Sequence, residues 1–129
     1  MPALLPSAAA VTVAALKSST DLNAVTGGRV GTRLNATLPA VRVQRVAGTS
    51  PDPWQDQPVM QLDCWGAKEE DADLLARTLV AVLPTLHGTF ANGKLWSYEI
   101  ESGPFWSPDD PTLSSNARYI LTVRLLTTQ

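Results

Sequence analysis

The most regular alternation of apolar and polar positions in this chain lies between residues 38 and 66. Val41 to Ala47 and Val59 to Trp65 both alternate between the two types, which predicts two β-strands. Three prolines and two aspartates around Trp54 separate these strands. Because proline cannot donate to a strand ladder, residues 48–58 are predicted to be a loop, a hairpin arm that projects from the sheet.

An amphipathic helix is predicted directly after the second of these strands. Glu69, Glu70 and Asp71 fall in its first turn, where the positive end of the helix dipole favours carboxylates. Apolar residues then recur at helical spacing and form a stripe that a core would cover. The stripe consists of Ala72, Leu75, Ala76, Leu79, Val82, Leu83 and Leu86.

The rest of the chain supplies shorter elements and a second proline-rich loop. Ser7 is a suitable N-cap for a helix that runs from Ala8 to about Ser19. The other predictions are a turn-rich stretch at 20–28, strands at 29–35, 94–101 and 118–126, and a projecting loop at 102–115. The order is therefore α-β-β-β-α-β-β.

This order predicts an α+β fold, a single mixed or antiparallel β-sheet with two helices packed on one face. The length of 129 residues fits one domain, and residues 1–6 are expected to be an N-terminal tail. No segment approaches the run of about 20 apolar residues that spans a membrane, so we expect no membrane partner.

The charge balance excludes one class of function. Lys and Arg number 10 against 12 Asp and Glu, so the net charge is −2 and the basic excess of a nucleic-acid reader is missing. Charged residues make up 17% of the chain, below the roughly 25% of an average soluble protein. Either another chain covers part of the surface, or this is ordinary variation.

The residues that could carry catalysis or bind a metal are sparse and scattered. The chain has one cysteine, Cys64, and one histidine, His87, which are too few for a disulfide or a Cys–His site. The acidic pair Asp52 and Asp56 lacks the dense ligand spacing of a calcium loop. We therefore expect no catalytic residues, no metal and no cofactor, and the protein is not expected to be an enzyme.

The tryptophans indicate surfaces instead. Trp54 and Trp106 fall in the two predicted loops beside proline and aspartate. Exposed tryptophan is costly on a monomer and is enriched among interface anchors, although each ring could also fold back over the sheet edge. Trp65 and Trp96 alternate within strands and are expected to face the core or a helix.

Five segments, taken together, resemble the tail terminator proteins of long-tailed (siphovirus-type) bacteriophages, particularly those that infect actinobacteria. They are DLNAVTGGRVGTRL (21–34), LPAVRVQRVAG (38–48), QPVMQLDCWGAKEEDADLLA (57–76), SGPFWSPDD (102–110) and RYILTVRL (118–125). Ala47-Gly48 departs from the Gly-Gly pair expected at that point.

The resemblance implies a homohexameric ring that caps the tail tube, ends its polymerisation and offers the surface to which the filled head attaches. Its partners would be further copies of itself, the major tail tube protein and a head–tail connector or completion protein. DNA would pass through the lumen without sequence-specific binding. The protein would be assembled in the host cytoplasm and would lie at the head-proximal end of the virion tail.

The candidate contacts of such a ring subunit come from the two loops and the nearby charged residues. They are Arg42, Arg45, Trp54, Asp56, Phe105, Trp106 and Asp109. Two other functions remain open at this point: another head–tail connector or completion protein, or a small ligand-binding α+β module. The second would place Trp65, Trp96 and Tyr98 around a pocket.

Overall fold

The computed structural model describes residues 4–33, 37–107 and 116–129. Within these residues, six strands form one mixed sheet, curled as a half-barrel, and three α-helices pack against it. The α+β class and the single sheet predicted from the sequence are confirmed. The predicted order and the packing of only two helices differ in detail, because the structure adds a helix and a short strand.

The elements follow one another along the chain in this order: α1 (Ala8–Lys17), α2 (Thr20–Thr26), β1 (Val30–Gly31), β2 (Ala40–Asp52), β3 (Gln55–Gly66), α3 (Glu69–Val82), a 3₁₀ turn (Leu83–Thr85), β4 (Gly88–Phe90), β5 (Gly93–Trp106) and β6 (Ala117–Thr128). The spatial order of the strands is β1-β2-β3-β6-β5-β4. β1 runs parallel to β2, and every other neighbouring pair is antiparallel.

The helices cover one face of the sheet. Met60, Leu62 and Cys64 of β3 point to this face. The β6 residues opposite these three, and the next one along β6 on the same side, point the same way. They form one apolar cluster with residues of α1, α2 and α3. The stripe predicted for α3 is in this cluster, since Leu75, Ala76 and Leu79 are buried. Burial of this stripe holds α3 on the sheet.

The residues 20–28, predicted to be turn-rich, contain a helix instead. The Ser19 hydroxyl accepts a hydrogen bond from the Leu22 amide and so caps α2, and the Leu22 side chain is fully buried. Gly27 ends the helix in the left-handed region, at φ 64°. Seven residues that resemble a turn are therefore made helical by a cap at each end and by one buried leucine.

The predicted loop at 48–58 is mostly β-strand and does not project as an arm. The β2–β3 ladder continues through Gly48↔Pro58 and Thr49↔Gln57, and β3 stays paired with β6 as far as Gln55↔Thr128. Gly48, at φ 117°, makes this possible, since a Cβ there would lie 2.4 Å from the Gln57 carbonyl oxygen. The glycine thus lets the proline-containing segment close on its neighbour. We call residues 45–58 the hairpin end.

The second predicted loop is also partly strand. β5 continues through residues 102–106 and pairs with β6 down to Trp106↔Tyr119, with irregular register on the way. The remainder of that prediction, including Asp109, lies outside the described residues. None of the helices in the described part of the chain has both the length and the apolar character of a membrane span.

Candidate interaction surface

The tip of the hairpin end holds a tryptophan outward on a fixed turn. One Asp52 carboxylate oxygen accepts hydrogen bonds from the backbone amides of Trp54 (2.8 Å) and Gln55 (3.1 Å), and the other accepts from the Gln55 side chain (2.8 Å). The Gln55 side chain and then the Trp54 amide lower the pKa of Asp52. Trp54 itself is 74% exposed. The ring is therefore displayed on an ordered turn and does not fold back over the sheet.

An ion pair between an exposed arginine and a buried carboxylate lies below this tip and joins two of the candidate contacts. The Arg45 guanidinium donates to both carboxylate oxygens of Asp56, at 2.6 and 2.9 Å. Ser50 donates to the same carboxylate. Asp56 is only 3% exposed, so its carboxylate bonds within the chain and does not face a partner. Its role here is to fix the two strands of the hairpin end relative to each other.

Phe105 and Trp106 lie at the far end of β5, and both are half exposed. They point to opposite faces of the sheet: Phe105 is level with Ile120, and Trp106 packs edge-on against Tyr119 with ring centroids 5.3 Å apart. The Tyr119 hydroxyl donates to Glu69 at 3.4 Å. Burial, followed by the nearby carboxylates, raises the pKa of Tyr119.

The face of the sheet away from the helices carries a buried carboxylate that is not among the residues predicted from the sequence. Asp63 is fully buried, accepts from the Gln61 side chain at 2.9 Å and has Arg118 3.7 Å away. The Arg118 guanidinium lies over the Trp65 ring at 5.0 Å. Arg42, a candidate contact, is opposite Asp63 in the ladder. Two features of the sequence could have indicated this site. Asp63 and Trp65 share one face of a predicted strand, and an arginine begins the predicted strand at 118–126.

Trp65 and Trp96 were expected to face the core or a helix, and this is wrong for both. Trp65 lies half-buried on the face away from the helices, beneath Arg118. Trp96 is 52% exposed, with the Lys94 ammonium 3.9 Å from its ring centroid and its indole N–H donating to Thr128. The register shift between Leu95 and Ser97 breaks the simple alternation on which the prediction relied.

The structure keeps the exposed aromatic residues in separate places. Gln55, next to Trp54, is level with Thr128, whereas Trp106 is level with Tyr119. Nine residues of extended strand separate those levels, a distance of roughly 30 Å. Trp65 and Trp96 are likewise near opposite ends of β6, so the described residues do not gather them around one pocket. Trp54 is therefore at one end of the sheet, and Phe105 and Trp106 are at the other.

The residue types that carry out catalysis or bind metals in other proteins are buried in the core, placed in a helix cap region or far apart in this structure. Cys64 is buried in the core, and this burial raises the pKa of its thiol. Across the described ranges, no group of three or more His, Cys, Asp or Glu side chains is placed to hold a metal ion. Glu69, Glu70 and Asp71 occupy the first turn of α3, as the sequence predicts for helix initiation.

No protein-family model matches this chain, and no curated protein matches it either.

Proposed function

We propose that this chain is a structural virion protein that forms a ring on the tail tube of a siphovirus-type phage. The ring ends tube polymerisation and offers the surface to which the head attaches. The observation that carries the proposal is Trp54, 74% exposed on a turn that Asp52 holds in place. A large apolar ring fixed in solvent is what an interface anchor requires, since little side-chain freedom is lost when the partner covers it.

A ring subunit needs two different contact patches, because head-to-tail contacts close by rotation. Trp54 lies at one end of the sheet and Phe105 and Trp106 lie at the other, so these exposed side chains are suited to different neighbours. The net charge of −2 also agrees with a lumen through which DNA passes without being bound. The partners would be further copies, the tail tube protein and a head–tail connector or completion protein.

The first experiment is negative-stain imaging of the purified chain, alone and mixed with the tail tube protein of the same phage. Six-fold rings, or tubes capped at one end, are the expected result. Monomers that never cap a tube would overturn the proposal and favour a different head–tail connector or completion protein.

The second experiment tests the tryptophans by counting capped tubes for the Trp54→Ala and Trp106→Ala variants. Loss of an interface anchor costs about 2 kcal/mol, so capping by Trp54→Ala should need about thirtyfold more protein. Leu74→Ala is the matched control, since Leu74 is also an exposed apolar residue but lies on α3. If both tryptophan variants cap as well as the control does, these residues are not the anchors.

A further inference from the structure

The sheet has two long edges that no strand covers within the described residues. On one side, β1 pairs only with Val41 and Arg42 of β2, so β2 is free from Val43 to Asp52. On the other side, β4 pairs only with residues 93–95, so β5 is free from Trp96 to Trp106. Unpaired backbone N–H and C=O groups on such edges are ready to pair with another strand.

The two free edges run in opposite directions. The four long strands alternate β2, β3, β6 and β5, and each is antiparallel to its neighbour. A second copy placed beside the first would bring its β2 against β5 with that alternation unbroken. The antiparallel ladder of one chain would then continue into the next.

The free stretches also lie at the same height on the sheet. Three rungs cross all four long strands: Gln44–Gln61–Thr122–Ser102, Arg45–Met60–Val123–Ile100, and Ala47–Val59–Arg124–Glu99. A copy displaced sideways, without sliding along the strands, would place Gln44 beside Ser102 and Ala47 beside Glu99. Both ends of each rung are in the uncovered part of an edge.

The charges of the two edges differ. The free stretch of β2, residues 43–52, carries Arg45 and Asp52, whereas the free stretch of β5, residues 96–106, carries Glu99 and Glu101 and no basic residue. Asp56 pairs with Arg45 and Arg124 pairs with Glu101, but Glu99 makes no ion pair with any residue that the structure describes. Two copies of the β5 edge would therefore bring like charges together, whereas the β2 edge carries no net charge and does not repel a β5 edge.

The edges also carry features that limit what can pair with them. Register shifts lie between Arg45 and Ala47 on β2, and between Ile100 and Ser102 on β5. Pro51 and Pro104 lie near the ends of the free stretches and lack a backbone donor. Bulges and edge prolines prevent indiscriminate strand addition. A partner edge must match these irregularities, which favours one specific pairing.

From direction, height and charge together, we propose that the β5 edge of one copy pairs with the β2 edge of the next, which makes one sheet continuous between subunits. The pairing is between residues 97–102 and residues 43–50. This inference deepens the proposed ring and rests on it for the closed, head-to-tail arrangement.

Cross-linking of full-length chains tests the pairing. The Gln44→Cys/Ser102→Cys double variant places a thiol on each edge, and a short bismaleimide would join the two thiols where these positions lie side by side. A ladder of covalent oligomers is expected. Cys64 is buried, so the unaltered chain should remain uncoupled. The Ser18→Cys/Glu70→Cys variant, with both thiols on exposed positions away from the edges, controls for random collision and should give no ladder above that background.

The single variants distinguish which edges meet. A mixture of Gln44→Cys chains and Ser102→Cys chains should give covalent dimers that contain one of each, and neither variant alone should give dimers. Dimers of Ser102→Cys alone would mean that two β5 edges meet and would overturn the proposal. The absence of cross-links would overturn it as well. In a parallel measurement on the unaltered chain, amide hydrogen exchange of residues 97–102 should slow as the protein assembles.

The outcomes separate this inference from the proposed function. Capped tubes whose subunits do not cross-link through these thiols would leave the tail function standing and refute the edge pairing. Cross-linked rings that never cap a tube would support the edge pairing and refute the tail function.

Discussion

The body of the protein and the hairpin end are stabilised by different kinds of contact. In the body, leucines from α3, β3 and β6 are fully buried against one another, among them Leu62, Leu79 and Leu121. In the hairpin end, residues 45–51 are all exposed. What holds that segment is a strand ladder, the Arg45–Asp56 ion pair and the turn at Asp52.

The difference shows which part can change without unfolding the rest. Apolar burial supplies about 25 cal/mol per Å² and is lost only when the core opens, whereas a few polar contacts are worth about 1 kcal/mol each. The hairpin end can therefore adjust to a partner at small cost while the body stays folded. Four changes test this contrast.

The largest effect is expected in the body. Leu79→Ala removes a fully buried side chain from α3 and should lower the free energy of unfolding by about 2–5 kcal/mol, through lost burial and the cavity that remains. Leu74→Ala, on the exposed side of the same helix, should change it by about 0.5 kcal/mol or less. Urea denaturation measures both. Equal effects would mean that α3 is not held by its buried stripe.

The next effect is expected in the hairpin end. Arg45→Met leaves the buried Asp56 carboxylate without its guanidinium and should lower the free energy of unfolding by about 1–3 kcal/mol, as for lost hydrogen bonds to a buried charge. Arg77→Met breaks an exposed pair with Asp73 and should cost about 0.5 kcal/mol or less. Denaturation curves for the two variants give the comparison. A cost for Arg45→Met as small as that of Arg77→Met would show that Asp56 is solvated.

Sequence patterns predicted the body well for a physical reason. The stripe of α3 and the alternation of β6 reflect burial on one face, and periodicity records burial directly. Tyr119, Leu121 and Val123 recur at every second position, and the ladder places them opposite Cys64, Leu62 and Met60 on the helix-facing side of β3. Short elements such as β4 carry too few residues for a period to be detected.

The sequence mispredicts the hairpin end, because the effect of a proline in a strand depends on the residue that lies opposite it in the ladder. Pro58 is tolerated in β3 opposite Gly48, a pairing that only the three-dimensional register reveals. The same limit applies to the candidate contacts. The sequence indicates Arg45 and Asp56 as two separate contacts, yet they bind each other across the hairpin, 11 positions apart. Trp54 was placed at a surface for a local reason, its position between turn residues, and its 74% exposure agrees with that interpretation.

A smaller effect concerns the turn below Trp54 and depends on pH. The pKa of Asp52 is lowered in the folded chain, so the carboxylate contacts stabilise the turn above the ordinary aspartate pKa of about 3.9 and are lost as the pH falls through the lowered value. NMR shifts of the Trp54 and Gln55 amides should therefore move only at acid pH. Asp52→Asn keeps a side-chain acceptor and should remove that titration. Amide shifts with a midpoint at or above the ordinary value would contradict the proposed hydrogen bonds.

The smallest effect is expected for a polar contact within the body, the hydrogen bond from Tyr119 to Glu69. Apolar burial stabilises the body, so a single polar contact there should contribute little. Burial is the main cause of the raised pKa of Tyr119, and Glu69 adds to it. Glu69→Gln should therefore lower this pKa toward the ordinary value of about 10 without reaching it. Absorbance titration in a Tyr98→Phe background isolates Tyr119. Glu70→Gln, which removes an adjacent carboxylate that is not among the causes of the shift, should leave the pKa unchanged. If the two variants shift it equally, general negative charge at the start of α3 acts on Tyr119, and the specific hydrogen bond to Glu69 does not.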